Sequence, residues 1–400
     1  MSRGLIKLLV LSTFLVSLLG HFGVLGRLGI GNINIFDFYL FYINLILLIF
    51  LQLSKRIFIK FEFFIFLAFA FIAFLSLLIN YNKFSVFELF FSSFYLFRFI
   101  NLLVFGIFVY NFMEINVFDK RFVINLILLS GVLLGILGIV QLILLPDFTV
   151  LSAEFGYDPH KFRLASTFFD PNFTGAYLSI VLGFLFYYKK ELSSYKFFIL
   201  AIFLFLCILL TFSRSAWLFT SIVVMIYGVF RYRTLMILAV FIAFLAYFAV
   251  PRVQTRISGI TDPADSARFR FISWNNTLEI FESSPIYGVG FNTFRFVQKD
   301  LGFFEVGSFG GNSGGGADST FLLIFATTGI VGGLVFVFAY FYPIFSVFFR
   351  KNFVSFDIWI LASALIIGLL LNSQFINSLL FPQILMLYFL FLAIFSFETS

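Results

Sequence analysis

The fold is decided by apolar runs such as residues 61–80, which read FEFFIFLAFAFIAFLSLLIN and contain one charged side chain, Glu62. A helix needs about 20 mostly apolar residues to cross the hydrocarbon core of a bilayer, so this run predicts a membrane span. Similar runs cover residues 5–20, 35–52, 61–80, 91–112, 122–145, 166–188, 196–212, 215–230, 234–250, 319–348, 355–375 and 378–397. The sequence therefore predicts an all-α fold, a polytopic membrane helix bundle with about 12 transmembrane helices.

The composition agrees with a membrane protein and argues against a metal centre. Of the 400 residues, 62% are hydrophobic and 11% are charged, whereas a soluble domain carries about a quarter charged residues. The single cysteine, Cys207, lies in an apolar run, which excludes a disulfide within the chain and a cysteine-based metal site. His21 and His160 are the two histidines, so we expect neither zinc nor any other cofactor.

The basic residues predict the orientation, because Lys and Arg accumulate in short cytoplasmic loops. With the N-terminus inside, the inner loops hold fourteen of the 26 basic residues, and the short outer loops hold Arg27, Lys83, Lys161 and Arg163. We expect a multi-pass protein of the cytoplasmic (inner) membrane with both termini in the cytoplasm. Residues 1–250 would form helices one to nine with an outer loop near 146–165, residues 251–317 a long extracytoplasmic loop, and residues 318–400 helices ten to twelve.

The long loop is predicted to contain short helices. Residues 271–281 have an amphipathic pattern, with Phe271, Trp274, Leu278 and Phe281 at spacings of three and four. A Pro/Gly turn follows at 283–291. Residues 307–316 contain six glycines, and we expect a mobile flap there rather than a nucleotide-binding loop, because the Lys-Ser/Thr ending is missing.

Two arginines lie at the outer edge of predicted spans. Arg214 separates residues 196–212 from 215–230, which together are too long for one crossing. A charge at the hydrocarbon edge is costly, so Arg214 is a functional candidate; the alternative is an arginine that extends its charge to water at a hairpin tip. Arg163 adds a second outer cation against the usual bias.

Four further polar groups near this face have both a structural and a functional interpretation. Asp170, in Asp-Pro-Asn, could cap the following helix, and Asn172 could bond to nearby backbone. Asp318 or the adjacent Ser319 could likewise be the N-cap of the span that follows the long loop. His160 could be a base or ordinary solvated surface.

Taken together, Arg163, Arg214, Arg268 and Arg270 can converge at one depth of the outer leaflet. Clustered guanidinium groups would bind a pyrophosphate bidentately and stabilise the charge that develops on it as a leaving group. A nearby carboxylate or histidine could take a proton from an acceptor hydroxyl. This chemistry suits transfer from a lipid pyrophosphate and requires no metal.

Four stretches carry a further signal. In chain order they are Arg163 with STFFDPN at 166–172, SRSA at 213–216, Arg270 with WNNTLEIFESSPIYGVGFNTF at 274–294, and DSTFL at 318–322 with TGIVGG at 328–333. Together they resemble the O-antigen ligase and polymerase superfamily of membrane glycosyltransferases. The resemblance covers residues 140–348 and the overall pattern of spans.

The resemblance implies transfer of glycan at the outer membrane face from an undecaprenyl-pyrophosphate carrier, without nucleotide or metal. It also implies that Arg163, Arg214 and one of Arg268 or Arg270 contact the pyrophosphate or sugar. Ligases of this family usually have His-Asn where this chain has Asp318-Ser319. That departure favours a polymerase of O-antigen, capsule or exopolysaccharide repeat units.

The expected site therefore has two groups of residues and no metal. The expected catalytic residues are Asp318, Arg214 and Arg163, and the expected substrate-binding residues are Arg268, Arg270, Asp170, Asn172 and Trp274. Expected partners are the lipid-linked donor, the glycan acceptor and the bilayer, with a chain-length regulator or flippase as further candidates and no nucleic acid.

Two alternatives stay open. One is a ligase that moves finished glycan to lipid A core or to protein. The other is a transporter of lipid-linked sugar, which should carry polar or ionisable groups near the middle of several spans. The nearly charge-free spans favour an enzyme at the interface over a transporter.

Overall fold

The computed structural model describes residues 3–28, 31–54, 57–151, 157, 159–258, 266–304, 315–349 and 355–399. Within these residues the chain is almost entirely helical, with one antiparallel hairpin of β1 (Val24–Leu28) and β2 (Gly31–Asn34). The helices with described bounds are α1 (Arg3–Ser17), α2 (Ile35–Ser54), α3 (Phe61–Ile79), α4 (Val86–Glu114), α5 (Lys120–Leu144), α6 (Pro171–Tyr187), α7 (Ser194–Leu210), α8 (Arg214–Phe230), α9 (Arg233–Ala249), α10 (Pro251–Ser258), α11 (Ser266–Ser283), α12 (Phe294–Asp300), α13 (Thr320–Phe349), α14 (Phe356–Asn372) and α15 (Pro382–Glu398).

The predicted all-α bundle is confirmed. Each of the twelve apolar runs forms a helix, α1 to α9 and α13 to α15, and the split of 196–230 into α7 and α8 is present. Among the described helices, α2, α3, α4, α5 and α13 are long and apolar enough to cross a membrane alone. Helices α7, α8, α14 and α15 are shorter, with 17 residues each. At 1.5 Å per residue they rise about 25 Å, which is at the lower limit for a span.

Two details differ from the predicted pattern. The run 166–188 begins with a short 3₁₀ turn, and α6 starts only at Pro171. The second is that α9 bends into α10 by 98° at Pro251. The short helices predicted for the long polar segment are present in its described part as α10, α11 and α12. Residues 305–314, which hold most of the predicted glycine-rich flap, lie outside the described residues.

Helices α6 and α15 form the centre of the bundle and are buried along almost their whole length. Helix α6 packs against α5, α7, α8, α14 and α15, and α15 packs against α4. Small residues permit this close packing: a Cβ added at Gly175 would collide with Ala216, and one added at Gly183 would collide with Leu365. Small residues at helix contacts are typical of membrane bundles.

The two ends of the bundle differ. At one end, ion pairs join neighbouring loops: Lys120 with Glu398, Arg121 with Glu191, and Lys190 and Arg231 with Asp357. The opposite end, which we call the loop end, consists of the described residues of segments 18–34, 80–85, 145–170, 211–213, 250–319 and 373–381.

Helix α13 is broken about a third of the way along from its N-terminus, at Gly329 (φ 67°, ψ −172°). Residues 285–290 insert into the break and satisfy its backbone groups. Val289 N donates to Ala326 O (3.1 Å), Gly290 N to Thr327 O (3.0 Å), and Ile330 N to Pro285 O (2.8 Å). Non-helical backbone at membrane depth is tolerated only where other protein groups or water satisfy it. The predicted turn at 283–291 is therefore a packed insert that joins the long polar segment to α13.

Candidate functional site

A cavity of about 930 Å³ opens at the loop end. This volume is near the upper limit for small-molecule sites. The charged and imidazole side chains among its described lining residues are Arg98, Arg163, Arg214, Arg256, Arg270, Arg295, Asp170, Asp318, His21 and His160. The cavity is therefore strongly basic.

Most of the predicted site residues meet in this cavity. Arg163, Arg214, Arg270, Asp170, Asn172 and Asp318 all line it. The side chain of Arg268 lies outside the described part of the chain. The ring of Trp274 packs instead against Phe271 and Phe375, with centroids 5.4 and 6.1 Å away. A role for Arg268 or Trp274 in substrate binding stays a prediction.

Asn172 connects two of the sequence motifs. Its Oδ1 accepts a hydrogen bond from Ser213 Oγ (2.7 Å) and a longer one from Arg163 Nη2 (3.4 Å). Arg163 Nε also donates to Thr211 O (2.8 Å). The interpretation that Asn172 bonds only to nearby backbone is therefore wrong. The arrangement fixes the guanidinium of Arg163 beside the start of α8, where Arg214 follows Ser213.

Four helices begin at the cavity wall. Asp170 caps α6 by accepting from Asn172 N (2.6 Å) and Phe173 N (3.4 Å), and Ser213 caps α8 by accepting from Ala216 N (3.4 Å). Helix α13 starts just after Asp318, and α15 starts at Pro382; both of these residues line the cavity. Helix N-termini carry partial positive charge and free backbone N–H groups, so they add to the attraction that the arginines exert on an anion.

Asp318 is not the N-cap of α13. The cap is Ser319, whose Oγ accepts from Leu322 N (3.4 Å). Of the two residues that the sequence allowed as this cap, Asp318 and Ser319, the structure assigns the cap to Ser319, and a catalytic role of Asp318 stays a prediction. Asp318 has a left-handed backbone, with φ 47°. Such conformations are uncommon for residues other than glycine and cluster at functional sites.

Three more cavity residues share this backbone conformation: Phe169 (φ 54°), Phe212 (φ 47°) and Asn292 (φ 59°). They belong to three different segments of the loop end. The strain of four non-glycine residues is thus concentrated around one cavity, which supports its assignment as the functional site.

His160 is buried, with 7% of its surface exposed, so the interpretation as solvated surface is wrong. Its ring stacks on Phe148 with centroids 4.2 Å apart, and Nε2 lies 3.4 Å from Phe169 O. Burial lowers the pKa of His160 to about 4, and the charges of Arg163 and Arg252 contribute to the same effect. The imidazole is therefore neutral at neutral pH.

Sequence reasoning missed several lining residues. Arg98 forms a bidentate ion pair with Asp37, with Nε–Oδ1 and Nη2–Oδ2 distances of 2.6 Å. The signal was available, because these opposite charges lie in two predicted spans. Arg295 on α12 is 8% exposed and belongs to no motif in the sequence. The connection between α14 and α15 contributes Phe375, Ile376, Asn377, Leu380 and Phe381, and the first turn of α15 contributes Pro382 and Gln383. The sequence of this connection has no motif that would have indicated this role.

Amide side chains complete the polar lining. Among the described lining residues these are Asn34, Asn172, Asn276, Asn292, Gln298, Asn377 and Gln383. An amide both donates and accepts hydrogen bonds, as a sugar hydroxyl does. A cavity that combines arginines with amides suits a ligand with phosphate and hydroxyl groups.

Comparison with known proteins points to the family that the sequence motifs resemble. Residues 199–337, about a third of the chain, match the family model described as O-antigen ligase. The matched segment contains Arg214, Arg270 and Asp318, and it ends before the connection between α14 and α15. No curated protein matches the chain at a significant level.

The match confirms the predicted resemblance to the O-antigen ligase and polymerase superfamily over this segment. Together with helices long enough to span a membrane, it indicates a membrane protein. It also supports an activity of the O-antigen ligase or polymerase type, with a lipid-linked glycan and an acceptor as substrates.

Proposed function

We propose that the protein transfers glycan from an undecaprenyl-pyrophosphate carrier and thereby polymerises repeat units of O-antigen, capsule or exopolysaccharide. One observation carries the proposal: Arg163, Arg214, Arg270 and Asp318 line a single cavity at which four helices begin. The donor is a lipid pyrophosphate, and the acceptor is the next lipid-linked repeat unit.

The electrostatics of the cavity support a pyrophosphate ligand. The charge of Arg98 is balanced by Asp37, and the other charged side chains among the described lining residues are Arg163, Arg214, Arg256, Arg270, Arg295, Asp170 and Asp318. The formal excess of three positive charges is reinforced by the helix N-termini. Guanidinium groups bind phosphate oxygens bidentately, so this set is suited to hold a pyrophosphate both as substrate and as leaving group.

The proposed reaction is a single transfer at the anomeric carbon of the donor. The acceptor hydroxyl oxygen attacks this carbon, and the bond between the carbon and the pyrophosphate oxygen breaks. The hydroxyl proton passes to the carboxylate of Asp318, which acts as the general base. Undecaprenyl pyrophosphate leaves with the bonding electron pair, and the arginines stabilise its increased negative charge.

We propose that the loop end faces the periplasm or the exterior. The opposite end carries the basic residues expected in the cytoplasm, among them Lys7, Lys60, Lys120, Lys190 and Arg233. Both termini would then be cytoplasmic, and residues 251–317 would form an extracytoplasmic segment between two transmembrane portions, 1–250 and 318–400. This places the cavity where glycan is assembled from a carrier in the cytoplasmic membrane.

The structure of α13 bears on the transporter alternative. Transporters often use broken helices that open into a substrate site near the bilayer midplane. The break at Gly329 is filled by residues 285–290, and neither these residues nor 326–331 line the cavity. The arrangement favours an enzyme whose site lies at the loop end.

A ligase is the second candidate. His21 and His160 both line the cavity, so imidazole groups reach the site although position 318, where ligases usually have histidine, is an aspartate. The family model that matches residues 199–337 is also described as O-antigen ligase. A ligase would move finished glycan to lipid A core or to protein.

The two candidates differ in what a strain without this protein should accumulate. A polymerase predicts surface glycan limited to single repeat units. A ligase predicts long chains that remain on the lipid carrier, with none on the acceptor. Unchanged lengths of both surface and lipid-linked glycan would contradict both candidates for that glycan.

A further inference from the structure

Three aromatic side chains from two separate segments form one part of the cavity lining. We call His21, Tyr157 and Phe169 the aromatic wall; all three line the cavity and are partly exposed. The rings of His21 and Phe169 are stacked, with centroids 5.6 Å apart and planes at 22°. The ring of Tyr157 meets both edge-on, 5.0 Å from His21 and 5.3 Å from Phe169.

The aromatic wall is fixed from both sides. Gly20, at φ 51°, lies so close to Thr167 O that a Cβ at this position would collide with it, which holds the segment of His21 against residues 166–168. The loop that carries Tyr157 is closed by an ion pair between Asp147 and Lys161 at 2.8 Å. Behind the wall, the buried ring of Phe148 contacts Phe169 edge-on at 5.5 Å. These contacts stabilise the positions of the rings before any ligand binds.

The wall combines apolar ring faces with polar atoms. Tyr157 Oη lies 3.3 Å from His21 Nδ1, so a hydroxyl and an imidazole lie together at its edge. A sugar ring has the complementary surface, with a face of C–H groups and a rim of hydroxyls. Tyrosine and histidine suit such a ligand, because each has an apolar body and a polar end.

Phe169 connects the wall to the arginines, because the next residues along the chain are Asp170, Pro171 and Asn172. Asn172 in turn holds Arg163. A ligand whose pyrophosphate lies at Arg163 would therefore have its nearest sugar beside the wall. The cavity volume of about 930 Å³ also exceeds what a pyrophosphate alone occupies.

We propose that the aromatic wall is a sugar-binding subsite, which takes a sugar ring close to the pyrophosphate of the lipid-linked glycan. The proposal rests on the function proposed above. It assigns to residues 21, 157 and 169 a task that the arginines do not perform. The wall recognises the glycan, whereas the arginines bind the pyrophosphate.

The test compares two probes on the purified full-length protein in lipid nanodiscs. One probe is undecaprenyl pyrophosphate without sugar, and the other is the lipid-linked repeat unit extracted from a strain without this protein. We expect Tyr157→Ala to weaken binding of the repeat unit about tenfold and to leave binding of the sugar-free probe unchanged. Tyr157→Phe, which keeps the ring, should lose no more than about threefold.

Phe22→Ala is the matched control. The ring of Phe22 also touches Phe169 edge-on, at 5.0 Å, but it is 70% exposed and does not line the cavity. We expect both affinities to be unchanged in this variant. An equal loss in Phe22→Ala and Tyr157→Ala would assign the rings to packing and overturn the proposal.

The remaining outcomes separate this proposal from the proposed function. An equal loss of both probes in Tyr157→Ala, or no loss of either, would overturn the sugar subsite while the pyrophosphate site stands. Equal affinities of the wild-type protein for the sugar-free probe and the repeat unit would also overturn the sugar subsite and leave the pyrophosphate site standing. Wild-type protein that binds neither probe would overturn the proposed function, and the subsite with it.

Discussion

Asp318 has a left-handed backbone in the wall of an arginine-rich cavity, and the capping role that its position suggests belongs to Ser319. A strained residue persists only where its surroundings hold it. Thr320 N donates to Ser373 O (2.9 Å), which ties the start of α13 to the connection before α15. The carboxylate is thus placed by two distant parts of the chain.

Asp318→Asn tests the carboxylate as the general base. We expect the rate of glycan transfer to fall at least about 100-fold, because the amide cannot take the acceptor proton. The melting temperature should change little, because Asn tolerates the left-handed conformation as Asp does. A turnover assay with lipid-linked repeat units, together with thermal unfolding in detergent, measures both quantities.

Ser319→Ala is the control for this variant. It removes the N-cap of α13, so it should reduce the free energy of unfolding by about 1 kcal/mol and leave turnover within a few-fold of wild type. Near-normal turnover in Asp318→Asn, or an equal loss in Ser319→Ala, would remove Asp318 from the catalytic role.

Arg163→Lys tests the fork geometry of the pyrophosphate site. Arg163 donates to Thr211 O and Asn172 Oδ1, and these contacts hold its planar guanidinium at the cavity wall. An ammonium group cannot reproduce this planar arrangement, so we expect transfer to fall at least about tenfold. Arg252→Lys is the control, because Arg252 donates to Phe162 O and Lys161 O and does not line the cavity. Equal activities of the two variants would contradict the assignment.

The lowered pKa of His160 predicts that the protein becomes less stable in mild acid. Its pKa is about 4 in the folded protein and about 6.5 in the unfolded chain, so the unfolded state binds more protons between these values. The contribution is complete above pH 6.5 and is lost as pH falls towards 4, by up to about 3 kcal/mol. Thermal unfolding in detergent at pH 7.5 and pH 5 should show the decrease. His160→Gln should reduce it, and an unchanged pH dependence in that variant would contradict this explanation.

The sequence was sufficient to predict those site residues that lie next to an apolar run or within a recognisable motif. Arg163, Arg214, Arg270 and Asp318 were predicted because each polar group adjoins an apolar run or a recognisable motif. Arg295 and the α14–α15 connection were missed, because their place in the cavity depends on packing between segments far apart in the chain. Hydropathy contains no information about such contacts.

At the scale of the element, the broken helix α13 determines how the long polar segment is anchored. Gly288 and Gly329 face each other across the break, and both have positive φ, 71° and 67°. A Cβ at Gly329 would collide with Ile286 O and Tyr287 N, and one at Gly288 would collide with backbone atoms of residues 327–329. Ser76 Oγ donates to Tyr287 O (2.7 Å) and lies 2.8 Å from Thr327 O. Helix α3 therefore supports the insert from the other side.

Gly329→Ala should destabilise the protein by at least about 3 kcal/mol, because the added Cβ suffers both backbone strain and collision. Gly302→Ala is the control: Gly302 also has positive φ, 73°, but a Cβ there would meet nothing within 4 Å. We expect the control to lose about 1 kcal/mol, from strain alone. Thermal unfolding of the two variants in detergent measures the difference. Equal losses would contradict the proposed role of close packing at the break.

Apolar runs predicted twelve of the fifteen helices with described bounds, because a bilayer requires long apolar segments whatever their neighbours are. The separation of α7 from α8 was visible because Ser213-Arg214-Ser215 is polar. The break of α13 was not, because Thr328 and Gly329 lie inside a continuous apolar run. That break exists only because residues 285–290 satisfy the backbone groups it leaves, and these residues come from a different segment.

Across the whole bundle, the two ends differ: one end is held together by ion pairs, and the other end contains the cavity. One end joins its loops by ion pairs that include Lys120–Glu398 and Lys190–Asp357. The loop end gathers residues from the hairpin, the 145–170 segment, the long polar segment and the α14–α15 connection around one cavity. The charge, the helix N-termini and the strained residues all converge there. This convergence is the physical basis for proposing transfer of a pyrophosphate-linked glycan.

The most direct test of this claim uses the purified full-length protein in liposomes, with the lipid-linked repeat unit as its one substrate. We expect lipid-linked chains of increasing length and release of undecaprenyl pyrophosphate, with both products lost in Asp318→Asn and retained in Ser319→Ala. A repeat unit that the wild-type protein leaves unchanged, with no release of undecaprenyl pyrophosphate, would contradict the claim.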